Sequence, residues 1–431
     1  MFTRRAAALL LSAPLALLLT GMAPDPEKEL EKALKKSPPD LEAVQQACEA
    51  LRSAPSEKGV KTLVKFGTAV ANIDVYLACR DALSAAREGK AQAELLESAG
   101  KGKPEQRVLC LDALGYQDSP QAIEALVAAL SAKEQPVRTT AIRSLGRTKK
   151  KEAVPPLFER LGKLDPKSSD AEVDELSRAL KGLTGQVFET LEDWKKWWST
   201  VEADFDPAKV GASPEGGTRQ REATGKIFGS EIRSKKFVLC LDISSSMRVI
   251  DLEPGKKWKD KDGKEHDYED PGTGWPPKEN SRFVRARTEF VAFVNQLDQR
   301  TRFTIVVFGD DCKLWQEQLV PANDGNKKSA VEFVQKLQWG PATRTDLALE
   351  KCFSIQDADT IYMFSDGIPE KPKGGSTEVI PQEDVLKLAQ TLNRVRKARL
   401  NTFGFATASP TTREFLRKLA SENEGEYKDI R

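Results

Sequence analysis

Phe237-Val238-Leu239-Cys240-Leu241-Asp242-Ile243-Ser244-Ser245-Ser246-Met247 is an apolar run that closes on D-x-S-x-S. An unbroken apolar run of this length reads as a strand buried on both faces. In extended backbone, alternate side chains share one side, so Asp242, Ser244 and Ser246 converge on a single point just past the strand's end. Hydroxyl oxygens and a carboxylate are hard ligands, suited to Mg2+, Mn2+ or Ca2+ rather than to zinc or copper. Serine-rich turns after buried strands commonly hold only backbone hydrogen bonds. The run alone therefore leaves both readings open.

Two downstream stretches change that. Asp359-Thr360-Ile361-Tyr362-Met363-Phe364-Ser365-Asp366-Gly367 is a second buried-strand pattern closing on a carboxylate and a turn glycine. Between the two lies Gly340-Pro341-Ala342-Thr343-Arg344-Thr345-Asp346-Leu347-Ala348-Leu349, a loop that runs into an amphipathic helix. Together these stretches resemble the von Willebrand factor A (vWA) domain with its metal-ion-dependent adhesion site. The resemblance implies that Asp242, Ser244 and Ser246, the loop's Thr343 and the later Asp366 surround one divalent cation, Mg2+ first, with Mn2+ or Ca2+ as alternatives. It implies direct binding by the two serines, direct or water-mediated binding by the threonine, and aspartates acting largely through water.

A shell of neutral hydroxyls leaves such a cation's charge poorly neutralised, so an open coordination position attracts an Asp or Glu of a protein partner. The sequence departs from the family where glycine often stands: it carries Ser245, Pro341-Ala342 and Arg344 there. None of these is a ligand position, but Arg344 places a cation near the expected metal.

The order of elements agrees with the resemblance. Asn280-Ser281 caps a helix in which Phe283, Phe290, Val291, Phe293, Val294 and Leu297 recur at helical spacing, and Phe303 to Phe308 reads as a buried strand. Helices near 330–337, 347–353, 385–395 and 412–420 alternate with strands at 359–365, 400–405 and around Tyr427. Such alternation points to an α/β doubly wound, mostly parallel sheet, Rossmann-like, with ligands beyond the carboxyl ends of its strands. The polar insertion 249–279 is expected to be mostly solvated and without fixed structure, with a lid or specificity loop as the alternative. The chain's only histidine, His266, lies in it near Asp262, Glu265 and Asp267, and a lone histidine in a charged loop is expected to be simply solvated.

The amino-terminal half is of another kind. Arg4-Arg5 followed by the apolar Ala6 to Leu19 and the small residues before Pro24 has the layout of a secretory signal peptide, read as residues 1–23. That stretch is short for a membrane span, although retention as an anchor stays open. From 26 to 205 the composition is Ala, Leu, Lys and Glu at helical period. Cys48, Cys79 and Cys110 are each 31 residues apart (79 − 48 and 110 − 79), with Ala141 next in register. Their surroundings, Ala78-Cys79-Arg80-Asp81-Ala82-Leu83, Leu109-Cys110-Leu111-Asp112-Ala113-Leu114-Gly115 and Thr140-Ala141-Ile142-Arg143-Ser144-Leu145-Gly146, resemble HEAT-type repeats. The fold expected here is an all-α HEAT-like solenoid.

Cysteine at a repeated register is a packing residue, so the six thiols are expected to be mostly reduced and buried, with Cys312 the least core-like. Trp194, Trp197 and Trp198 form one helical face, read as a cap on the last repeat, with docking onto the second domain as the rival. Residues 206–226 have the composition of a flexible linker, which points to two independent domains, the second being 227–431.

With 67 basic against 65 acidic residues, charge gives no footprint for nucleic acid or a membrane surface. The expected function is an exported, non-enzymatic adhesion or scaffold protein whose metal-dependent site engages a partner's Asp or Glu, with the helical repeats as a second interaction surface. A metal-dependent hydrolase, or a purely structural assembly protein with a vestigial metal site, are the alternatives.

Overall fold

The structure, a computed structural model, describes residues 25–164, 171–211, 223–272, 274 and 276–430. The expected signal peptide and most of the expected linker lie outside the described residues.

Eleven α-helices among the described residues run from Pro26–Leu34 to Leu191–Val201. Local chemistry sets their starts: Asp40, Ser56, Asn72 and Ser119 accept hydrogen bonds from the backbone N–H of Ala43, Gly59, Val75 and Ala122, donors that the first turn leaves without partners. The helices Ile73–Leu83, Pro104–Leu114, Gln135–Thr148 and Ala171–Thr184 stack side by side. Cys79, Cys110 and Ala141 sit at their contacts with no exposed surface, so the 31-residue recurrence is a packing register. All six cysteines are free thiols. Five are buried and Cys312 is half-buried. The tryptophan helix turns inward: Trp194 stacks on Phe158, while Trp197 and Trp198 meet Phe205 edge-on. It closes the end of this helical half.

The second half is built on a seven-stranded sheet. Its strands are β1 (Lys236–Asp242), β2 (Arg302–Phe308), β3 (Cys312–Leu314), β4 (Val320–Pro321), β5 (Thr360–Ser365), β6 (Arg399–Phe405) and β7 (Tyr427–Ile430). In space the order is β4-β2-β1-β5-β6-β7, with β3 also on β2; β3 and β4 are antiparallel to it and every other pair is parallel.

Alternation along the strands divides the core. Phe237, Leu239 and Leu241 of β1 face the helices Arg282–Gln296 and Asp324–Gln335 through Phe283, Phe290, Phe293 and Val334. Val238 and Cys240 face the helices Thr345–Ser354, Gln382–Asn393 and Pro410–Ser421 through Leu349, Val385 and Leu416. Burying each such side chain stabilises the fold by about 1.5–3 kcal/mol. Helices on both faces make β1 apolar from Phe237 until the chain leaves the sheet at Asp242.

The insertion is folded, contrary to the expectation of a mostly unstructured excursion. Ile250–Asp251 pairs with Tyr268–Glu269 and Trp258–Lys259 with Glu265–His266, and Trp258, His266 and Tyr268 line up as an aromatic row. Its root is tied down where the Arg282 N–H donates to Val249 O.

The two halves are not independent. Arg399, at the amino end of β6, donates to Glu175 at 2.6 Å and Asp174 at 3.3 Å on the helix Ala171–Thr184. Lys397 reaches Asp112 at 3.5 Å, and the Arg143 guanidinium donates to Lys397 O at 3.4 Å. Arg178 pairs with Glu426 at 2.7 Å, the Ile73 N–H donates to Thr391 Oγ1, and Val395 packs against the solenoid core. The linker's composition points to independence, but the buried Arg399–Glu175 pair and the part-buried Lys397–Asp112 pair join the halves through residues other than the tryptophans. The solenoid therefore grips the amino ends of β6 and β7. The carboxyl ends of the strands lie on the opposite side of the sheet.

Candidate metal site

At its carboxyl end β1 stands between β2 and β5, where the order of strands reverses and open α/β sheets place their ligand crevices. The Ser244 N–H donates to Asp242 Oδ1 at 2.7 Å, closing an Asx turn that lifts the chain off the sheet. A single 3-10 turn, Ser245–Arg248, follows, and the fully buried Met247 pins it. The Gly340 N–H donates to Ile243 O at 2.9 Å, which brings the loop carrying Thr343 alongside. The register of β5, with Phe364 opposite Leu241, sets Ser365 and Asp366 next to the Asp242 turn.

Four of the five expected residues are joined by direct hydrogen bonds or share one partner. Ser244 Oγ and Ser246 Oγ are 3.0 Å apart, and Ser246 Oγ donates to Asp366 Oδ1 at 2.7 Å. Asp242 Oδ2 accepts from Ser365 Oγ at 2.6 Å. Thr343 lies beside them: a Cβ placed on Gly367 would meet Thr343 Oγ1 at 2.9 Å and Ser246 Oγ at 3.4 Å. Asp242, Ser244, Thr343 and Asp366 are buried, and Ser246 is the half-buried side of the cluster that opens to solvent.

The electrostatics are those of a site short of positive charge at Asp242. Burial, then the nearby charge of Asp366, pushes its carboxyl up to about 7 against the hydrogen bonds from Ser244 and Ser365. A divalent cation among these oxygens would relieve that penalty, and hydroxyls with two carboxylates are the donor chemistry that Mg2+, Mn2+ and Ca2+ accept. The residues present thus fit such an ion. Among the described residues no group of three or more His, Cys, Asp or Glu side chains is arranged to hold a metal. The cluster at Asp242 belongs to a different type, mostly hydroxyl.

The departures from the family pattern are settled locally. Arg344 forms a two-point ion pair with Asp346 at 2.9 and 2.7 Å, so its charge is spent beside the loop. Ser245 Oγ donates to Pro341 O at 3.2 Å and fastens turn to loop. His266 pairs with Asp260 at 2.8 Å within the insertion, not with Asp262, Glu265 or Asp267.

Sequence reasoning missed four residues. Ser365 bonds Asp242, and its place on the same side of the adjacent strand is a parity signal that was there to use. Arg282 donates to Asp366 at 2.5 Å, to Asp251 at 2.7 Å and to Thr407 at 2.5 Å. Its signal was a basic residue opening a helix, where the macrodipole disfavours it.

Residues 281–429 match the sequence model of the von Willebrand factor type A domain. The carboxyl-terminal half carries a vWA domain. The match takes in Thr343 and Asp366 and begins downstream of the Asp242 turn. Residues 92–172 match HEAT repeats. Two human proteins are similar over part of this chain: von Willebrand factor A domain-containing protein 3A, 30% identical over 125 residues (29% of this chain), and von Willebrand factor A domain-containing protein 3B, 25% over 148 residues (34%). The chain spans 10% of the length of each. Among solved structures, a von Willebrand factor type A protein from Catenulispora acidiphila aligns over 47% of this chain and 40% of its own, at 18% identity and a TM-score of 0.34.

Proposed function

We propose that this protein is a metal-gated adhesion or scaffold protein, not an enzyme, in which the vWA domain binds a partner's Asp or Glu through a divalent cation. A vWA domain itself points to protein–protein interaction or adhesion. The single observation that carries the finer reading is the convergence of Asp242, Ser244, Ser246, Thr343 and Asp366 at the carboxyl end of the sheet. The hydroxyls of Ser244, Ser246 and Thr343 would hold the ion, while Asp366 orients the Ser246 hydroxyl, Asp242 fixes the turn through the Ser244 N–H, and both carboxylates balance charge. When bound, the ion supplies an open coordination position for a partner's carboxylate oxygen.

The solenoid acts first as a mount. Its hold on the amino ends of β6 and β7 leaves the metal face clear, so a second partner would use the outer helices and not the face that the vWA domain covers. Among the described residues no helix is long and apolar enough to cross a membrane. Export through the segment at residues 1–23 is part of the proposal.

Calorimetric titration of the full chain with Mg2+ and Mn2+, with and without a pool of Glu-bearing peptides, tests it. Saturable binding that disappears in Asp242→Ala at unchanged circular dichroism is expected. A folded wild type that binds neither ion under either condition overturns the metal-gated reading.

A further inference from the structure

Arg282 is the first residue of the helix Arg282–Gln296 and its side chain is 4% exposed. Three separate parts of the chain hold it: Asp366 after β5, Asp251 in the insertion, and Thr407 after β6. Its guanidinium also lies over the Phe405 ring, 5.3 Å from the centroid. A helix's first turn repels a cation and burial penalises one, so these carboxylates fix its position. Asp251 is itself shared with Arg285, whose Nη1 donates to Asp251 Oδ2 at 2.7 Å.

The charge count at the site follows from this placement. With both carboxyls ionised, as they would be around a bound cation, Asp242 and Asp366 bring two buried negative charges, and Arg282 cancels one through direct contact with Asp366 Oδ2. A divalent cation then leaves the cluster one unit positive, where without Arg282 it would be neutral. Asp366 is also committed on both oxygens, Oδ1 to Ser246 and Oδ2 to Arg282. Less negative charge is left to attract an ion, and more positive charge is left, once the ion is in place, to attract an anion.

We propose that Arg282 couples the two binding events of this site: it weakens retention of the cation alone and strengthens its retention when a carboxylate ligand completes the coordination. The inference rests on the metal-gated reading above. By linkage, the factor by which carboxylate tightens metal binding equals the factor by which metal tightens carboxylate binding, so one titration measures both. Asp251 sets the strength of the device, because it competes with Asp366 for the same guanidinium.

The test is Mn2+ titration calorimetry on the full chain in chloride and in acetate buffers of equal ionic strength, acetate being the carboxylate probe. Arg282→Gln is expected to bind Mn2+ about tenfold more tightly in chloride and to lose most of the acetate enhancement seen in wild type, a change within the usual range of site coupling. Arg282→Lys keeps the charge but not the three-way hold of the guanidinium, and is expected to fall between wild type and Arg282→Gln. Asp251→Asn removes the competitor and is expected to weaken Mn2+ binding, the opposite sign, which keeps the test decisive if Arg282→Gln fails to fold. Unchanged Mn2+ affinity in Arg282→Gln or in Asp251→Asn, with wild type binding normally, overturns the role of Arg282 and leaves the metal site standing. Absence of Mn2+ binding in wild type and all three variants overturns the metal-gated reading and this inference with it.

Discussion

Arg399 Nη2 lies 2.6 Å from Glu175 Oε1, a buried ion pair between residues 224 positions apart that fastens the vWA domain to the solenoid helix Ala171–Thr184. Arg143 holds the same carboxylate from the other side at 2.8 and 3.0 Å. Breaking a buried pair by removing one partner leaves the other charge stranded and costs about 3–5 kcal/mol. Glu175→Ala, which takes both carboxylate contacts from Arg143 and leaves Arg399 with Asp174 alone, is therefore expected to uncouple the halves. Small-angle scattering should report a larger radius of gyration, and chemical denaturation two separated transitions where wild type has one.

Acid should open the same seam. Burial raises the Asp112 and Glu175 carboxyls, but Lys397 and Arg147 around the first, and Arg143 and Arg399 around the second, outweigh it and hold both well below the usual carboxylate range. A depressed carboxylate contributes stability that is fully present above its unfolded value, near pH 4, and is lost as the pH falls through the folded value. Lys397, Arg143, Arg147 and Arg399 stay charged throughout and repel one another once the carboxylates are neutral. Limited proteolysis between pH 7 and pH 2.5 is expected to show cleavage between the halves only below about pH 4. Equal protection across that range would count against an electrostatic latch.

Much of this is legible in the amino-acid sequence. The unbroken apolar runs at Phe237 and Thr360 identify strands covered on both faces, and the D-x-S-x-S turn follows from strand alternation alone. The seam was written less plainly. Asp81, Asp112, Arg143 and Asp174 fall in one 31-residue register, two residues after the Cys79, Cys110 and Ala141 packing positions and their equivalent. A solvated helix face and a docking face carry the same polar residues, and only burial separates them. The insertion was misread for a related reason: its strands are two residues each, too short for any period to register.

The solenoid's close packing makes a separate prediction at Gly115, the residue that ends one repeat's core run as Gly146 ends the next. A Cβ on Gly115 would lie 2.7 Å from Ser144 Cβ and 3.0 Å from Ser144 Cα, so the helices Pro104–Leu114 and Gln135–Thr148 would have to part. Overpacking of this kind costs about 1–3 kcal/mol. Gly115→Ala is expected to lower the midpoint of thermal unfolding, whereas Gly182→Ala, with open space around its Cβ, serves as the matched control and should not. Calorimetry of the two variants side by side decides it.

Gly367 offers the most specific probe of the metal site, because it follows Asp366 and touches the hydroxyls without supplying a donor side chain. Its backbone φ is not in the left-handed region, so alanine brings no backbone strain, and the only crowding is against Thr343 Oγ1 at 2.9 Å, Thr343 Cγ2 at 3.2 Å and Ser246 Oγ at 3.4 Å. The methyl group would push the threonine and serine hydroxyls apart by a few tenths of an ångström while leaving every ionisable group in place. If these hydroxyls hold a cation, Gly367→Ala should weaken Mn2+ binding about tenfold, roughly 1.4 kcal/mol, with the unfolding midpoint close to that of wild type. A variant that unfolds earlier yet binds Mn2+ as wild type does would mean that the hydroxyl cluster serves packing and not coordination.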